Sequence, residues 1–87
     1  MEETVVTLIN EGGLHARPAA KFVQVAATFD VNIRVEKDDR AADGRSLLGL
    51  TTLMAYQGTQ LKIIARGKEA KQALEALKAL VESGFGE

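Results

Sequence analysis

One short stretch of this chain, Gly12-Gly13-Leu14-His15-Ala16-Arg17-Pro18-Ala19, joins a flexible turn, a nucleophile, a planar cation and a helix start. Pro18 suits a first helical turn, where the N–H it lacks would be unpaired anyway. The glycine pair is expected to give the backbone conformations closed to other residues and to leave the site open. His15 then falls at or near the N-cap, where unpaired N–H groups and about half a positive charge of macrodipole point outward. Such an end attracts an anion, and phosphate suits it well. The same field opposes positive charge on the ring and leaves a ring nitrogen free to attack. Arg17 offers a guanidinium to phosphate oxygens. Phosphoryl transfer asks mainly for in-line positioning and charge stabilisation, so these groups suffice for a phosphohistidine intermediate. Each has a plainer alternative. A histidine beside a helix start often only caps it or faces solvent, an arginine there is often a solvated charge, and two glycines make an ordinary turn.

The elements around this stretch follow from hydrophobic spacing. Thr4 to Ile9, rich in β-branched residues, reads as a buried strand that runs into the loop Asn10-Glu11-Gly12-Gly13. Ala19, Phe22, Val23, Ala26 and Ala27 share one helical face, which predicts a helix from about Ala16 to Thr28. Val31, Ile33 and Val35 alternate with polar residues as in a half-buried strand. Lys37-Asp38-Asp39 is a turn, Arg40 to Ala42 a short partner strand, and Asp43-Gly44 a second turn. Ser46 precedes Leu47, Leu48, Leu50 and Leu53 and is expected to cap a brief helix that Gly49 weakens by about 1 kcal/mol. Leu61, Ile63 and Ala65 mark another strand, broken by Gly67. Ala70, Ala73, Leu74, Leu77, Leu80 and Val81 line a final helix that ends near Ser83-Gly84. The order β-α-β-β-α-β-α implies an antiparallel or mixed sheet with helices on one face, an α+β sandwich in a single domain over residues 1–87. Many small domains share that plan, and it does not select a function.

Composition narrows the field. Eleven Lys and Arg against 12 Asp and Glu give a net charge of −1, no field that would draw nucleic acid or an anionic membrane. The absence of cysteine removes disulfides, thiolate catalysis and thiolate metal sites, and the single histidine removes multi-histidine clusters. No signal peptide and no run of roughly 18 apolar residues is visible, which is compatible with the cytoplasm.

Gly13-Leu14-His15-Ala16-Arg17-Pro18-Ala19 resembles the active-site motif of the HPr family, the histidine-containing phosphocarriers of the bacterial phosphoenolpyruvate:sugar phosphotransferase system. Arg45-Ser46-Leu47-Leu48-Gly49-Leu50 resembles that family's regulatory-serine motif at the expected distance, and the likeness spans essentially the whole chain. The resemblance implies an open-faced sandwich, a four-stranded antiparallel sheet covered by three helices. It implies a phosphoryl group received on Nδ1 of His15 from phosphorylated Enzyme I and passed to a histidine on the A component of a sugar permease. Arg17 and the backbone N–H groups of Ala16 and Arg17 would hold that group. It implies a cytoplasmic, monomeric carrier rather than a stand-alone enzyme, needing no metal or organic cofactor. It also makes Ser46 a regulatory phosphorylation site for an HPr kinase/phosphorylase, with a transcription regulator as a further partner.

Leu47 and Leu48 are expected to form an exposed docking patch rimmed by Arg17, Lys21 and Arg45, whereas Leu50 and Leu53 are expected in the core. Gly12 stands where many members have Ser or Asn, and Leu47-Leu48 replaces a pair that often includes Ile and Met. His15 argues against regulatory relatives in which that residue is replaced. Two rivals remain at this point. One is a regulatory binding module acting mainly through Ser46 phosphorylation. The other is an RNA-binding α+β domain, disfavoured by the near-neutral charge and by only one Tyr and three Phe.

Overall fold

The computed structural model describes residues 1–87, in the order β1 (Glu2–Thr7), α1 (Ala16–Ala27), β2 (Asn32–Lys37), β3 (Arg40–Asp43), α2 (Leu47–Thr51), β4 (Gln60–Arg66) and α3 (Ala70–Glu82). A short 3-10 turn, Gly84–Gly86, follows. The strands form one antiparallel sheet in the order β1-β4-β2-β3. Its topology is the open-faced α+β sandwich, with three helices packed on one face.

Alternation decides which side of the sheet is covered. Val6 pairs with Leu61, Ile63 with Val35 and Ala65 with Ile33, so these residues project together into the core. Against them pack Ala19, Phe22 and Ala26 of α1 and Ala73, Leu74, Leu77 and Val81 of α3. The opposite face carries Val5, Lys62, Arg34 and Arg66 and is open to solvent. No helix is long and apolar enough to cross a membrane.

Three details differ from the pattern read along the chain. The first strand starts at Glu2 and ends at Thr7, and it is not buried throughout: Val5 is 53% and Ile9 54% exposed. An edge strand with one covered face hides only alternate side chains, and a run of β-branched residues does not reveal which. Gly13 takes a left-handed φ of 62°, but Gly12 keeps an ordinary backbone, so only one of the two glycines is there for conformational freedom. Phe85, beyond the last predicted helix, is 1% exposed and joins the core through the turn at Gly84–Gly86.

Candidate functional site

The loop between β1 and α1 is pinned from three sides. Asn10 Nδ2 donates to the Gly13 carbonyl at 2.7 Å, the Gly13 amide to the Asn10 carbonyl at 3.1 Å, and the Leu14 amide to the Ala55 carbonyl at 2.9 Å. A Cβ on Gly13 would lie 2.7 Å from Tyr56 Cα, so the loop lies directly on the segment after α2. Leu14 is buried by that contact, and His15, next in the chain, is turned outward. Asn10 is a site residue that sequence reasoning passed over. A short amide side chain in a turn was its only signal.

His15 is the N-cap of α1, with extended backbone (φ −80°, ψ −173°) and no capping bond from its side chain. Its carbonyl accepts the Ala19 amide at 2.9 Å and starts the helix. The amides of Ala16 and Arg17 have no intramolecular acceptor, and Pro18 has no N–H to offer. An exposed imidazole thus stands beside two free amides at the positive end of a 12-residue helix. The Cδ2–Nε2 edge of the ring lies on the side of Gly12 where a Cβ would stand.

Arg17 is 75% exposed, and its Nη1 lies 3.8 Å from Glu87 Oε1. Lys21 faces the same carboxylate: its Nζ lies 2.9 Å from Glu87 Oε2 and donates to the Phe85 carbonyl at 2.6 Å. The hydrogen bond from Lys21 holds the Glu87 carboxyl below its ordinary 4.5; the charges of Lys21, Arg17 and His15 act in the same direction, and partial desolvation opposes them. Of the expected basic rim, Arg17 is the member beside His15 with the loosest tie, whereas Lys21 is bound to the 85–87 segment. Arg45 Nη2 donates to the Phe29 carbonyl at 2.8 Å, just past the far end of α1. That end is about 18 Å of helix away from His15, so the structure does not bring the three cations together.

The apolar surface lies on α2 and the loop behind it. Leu47 and Leu48 are 45% and 75% exposed, whereas Leu50 and Leu53 are buried. Ser46 Oγ accepts the Gly49 amide at 2.9 Å and caps α2. Met54 and Tyr56, 49% and 58% exposed, extend the surface towards His15, and a shallow hollow opens between His15, Thr51, Met54 and Tyr56. Met54 has a φ of 58°, and Lys37 Nζ holds its carbonyl at 2.9 Å and that of Leu53 at 3.2 Å. Met54 and Tyr56 escaped the sequence reading because nothing local shows that the Leu14–Ala55 bond brings them beside the histidine.

Comparison with known proteins places the chain in a family. A family profile described as "PTS HPr component phosphorylation site" matches residues 2–83. The phosphocarrier protein HPr of Vibrio cholerae is 44% identical over 82 residues, covering 94% of this chain and 96% of its own length. The multiphosphoryl transfer protein of Haemophilus influenzae is 38% identical over 98% of this chain, which spans 18% of that longer protein. Among solved structures, HPr of Thermoanaerobacter tengcongensis superposes with a TM-score of 0.96 at 44% identity, covering 100% of this chain and 98% of that one.

Proposed function

The chain belongs to the HPr family of phosphotransferase-system phosphocarriers, and on that footing we propose that His15 accepts a phosphoryl group from phosphorylated Enzyme I and hands it to a histidine on the A component of a sugar permease. The observation that carries this reading is an exposed imidazole at an uncapped helix N-terminus, with the Ala16 and Arg17 amides free. In the first half-reaction the Nδ1 lone pair attacks phosphorus while the donor's N–P bond breaks, and the donor nitrogen keeps that electron pair. In the second half-reaction the same exchange runs onward, with His15 as leaving group. The carrier gains and loses no electrons and needs no metal or organic cofactor for either step.

The amides of Ala16 and Arg17 hold the phosphoryl oxygens, aided by the dipole of α1, and the Arg17 guanidinium offsets the charge that builds up in transfer. Donor and acceptor dock in turn, as transient partners, on Leu47 and Leu48, with Met54 and Tyr56 as the near margin. The carrier works as a cytoplasmic monomer. Ser46 is the regulatory position: phosphate there would sit at the start of α2 beside Leu48 and oppose an acidic partner face. An HPr kinase/phosphorylase would place it, and a transcription regulator would read it.

Incubation with Enzyme I and labelled phosphoenolpyruvate tests the carrier role. One acid-labile, alkali-stable phosphate per chain is expected, and none in His15→Ala. Label retained in that variant would remove His15 from the mechanism.

A further inference from the structure

We propose that Lys37 is a positioning residue for partner docking: it clips the segment after α2 so that Met54 presents its thioether to the phosphohistidine-bearing partner beside His15. The inference deepens the carrier reading and rests on it for the identity of that partner.

Met54 stands where the backbone asks for glycine. Its φ is 58°, in the left-handed region, which a long side chain enters only at a cost in energy. The chain nevertheless places one of its two methionines there. That side chain is 49% exposed, so filling the core is not its purpose. It lines the hollow that also takes in His15 and Tyr56. Tyr56 Oη donates to Met54 Sδ at 3.9 Å, so phenol and thioether form one margin of that hollow.

The strained backbone is held by the hairpin of β2 and β3. Lys37, the last residue of β2, donates through Nζ to the carbonyl of Met54 at 2.9 Å and to that of Leu53 at 3.2 Å. Arg40, its register partner on β3, donates through Nη1 to the Thr52 carbonyl at 3.3 Å. None of these three successive carbonyls accepts a backbone amide, so the two cations are what satisfies them. Lys37 grips the left-handed residue itself. No residue of β2 or β3 lines the hollow at His15, so Lys37 acts through Met54 and not on the phosphoryl group. The occupant fits the side chain. Methionine is unbranched and polarizable and packs against more than one surface, which suits a carrier that meets donor and acceptor in turn.

The test starts without a partner. An Overhauser contact between the Met54 methyl group and the Tyr56 ring is expected in the unmodified protein, and its absence would overturn the proposal. Lys37→Met keeps the apolar stem and removes the ammonium; it should shift the Met54 methyl resonance and weaken that contact. An unshifted methyl with the contact intact would sink the clip. Lys37→Met and Met54→Gly should each raise KM for phosphorylated Enzyme I about fivefold, with kcat little changed. Together they should raise it no further than Met54→Gly alone, because glycine takes the left-handed φ unaided and has no thioether to place. Additive effects, or an unchanged KM in either single variant, would remove the positioning role, since a Lys37 that only stabilises the fold lowers the melting temperature and leaves KM alone. Should the unmodified protein take no phosphate at all, the carrier reading fails, and a methyl response to Lys37→Met still upholds the clip.

Discussion

Two helices of this molecule start in the same way and are finished differently. α1 and α2 each follow an extended residue with a polar side chain, His15 in one case and Ser46 in the other. At α2 the serine hydroxyl turns inward and takes the Gly49 amide, the third of that helix, at 2.9 Å. At α1 the third residue is Pro18, which has no amide to cap, and the imidazole makes no such bond; the first two amides, Ala16 and Arg17, stay free, as those of Leu47 and Leu48 do at α2. A satisfied cap is worth about 1 kcal/mol. With proline in that place α1 has no such cap, and the His15 side chain is left unbonded. In the proposed mechanism the uncapped end is the reactive one, and the capped end supports the docking surface.

Variants can break this contrast or sharpen it. The largest effect after loss of His15 itself is expected from Arg17→Glu, which should slow transfer from Enzyme I about 100-fold, the scale of losing one preorganised charge-stabilising donor. Arg17 is 75% exposed, so thermal unfolding should move by no more than about 4 °C. Undiminished transfer would leave the uncapped end without its cation. Leu48→Glu comes next: KM for phosphorylated Enzyme I should rise roughly tenfold, or ~1.4 kcal/mol, with kcat and stability little changed. A change in kcat alone would instead place Leu48 in the chemistry.

Ser46→Ala should do the reverse. It removes the closed cap at a cost of about 1 kcal/mol, lowering the melting temperature by roughly 4–8 °C, while phosphate acceptance on His15 persists. Equal stability would mean that the α2 cap contributes nothing. The smallest effect belongs to Glu87. Its carboxyl lies below 4.5 in the folded chain because Lys21 hydrogen-bonds it. Its stabilisation is therefore present above the unfolded pKa and fades as pH falls through the lower folded value. Glu87→Gln should flatten the acid side of the stability curve, read by denaturant unfolding between about pH 5 and 3. A curve of unchanged slope would show the Lys21–Glu87 contact to be idle.

The site was legible where chemistry and sequence neighbours coincide. His15, the Pro18 helix start and the Ser46 cap are local events, decided within one turn of chain. The exposure of Leu47 and Leu48 was legible because the core of so small a domain cannot take every leucine of that run. The cationic rim was less legible: Lys21 and Arg45 are bound to Phe85 and Phe29 carbonyls that only packing brings within reach. Glu87 faces Arg17 for the same reason, since the buried Phe85 turns the last residues back across α1.

By itself, the order of residues determined the element types, the β-α-β-β-α-β-α sequence, and the meeting of histidine, arginine and helix start, because periodicity, capping and proline act over a few residues. Tertiary structure alone decided that β1 is an edge strand with an open face, that Met54 and Tyr56 border the histidine, and that the imidazole lies on the side of Gly12 where a Cβ would stand. Those facts depend on close packing and hydrogen bonds between segments distant in sequence, which no local pattern encodes.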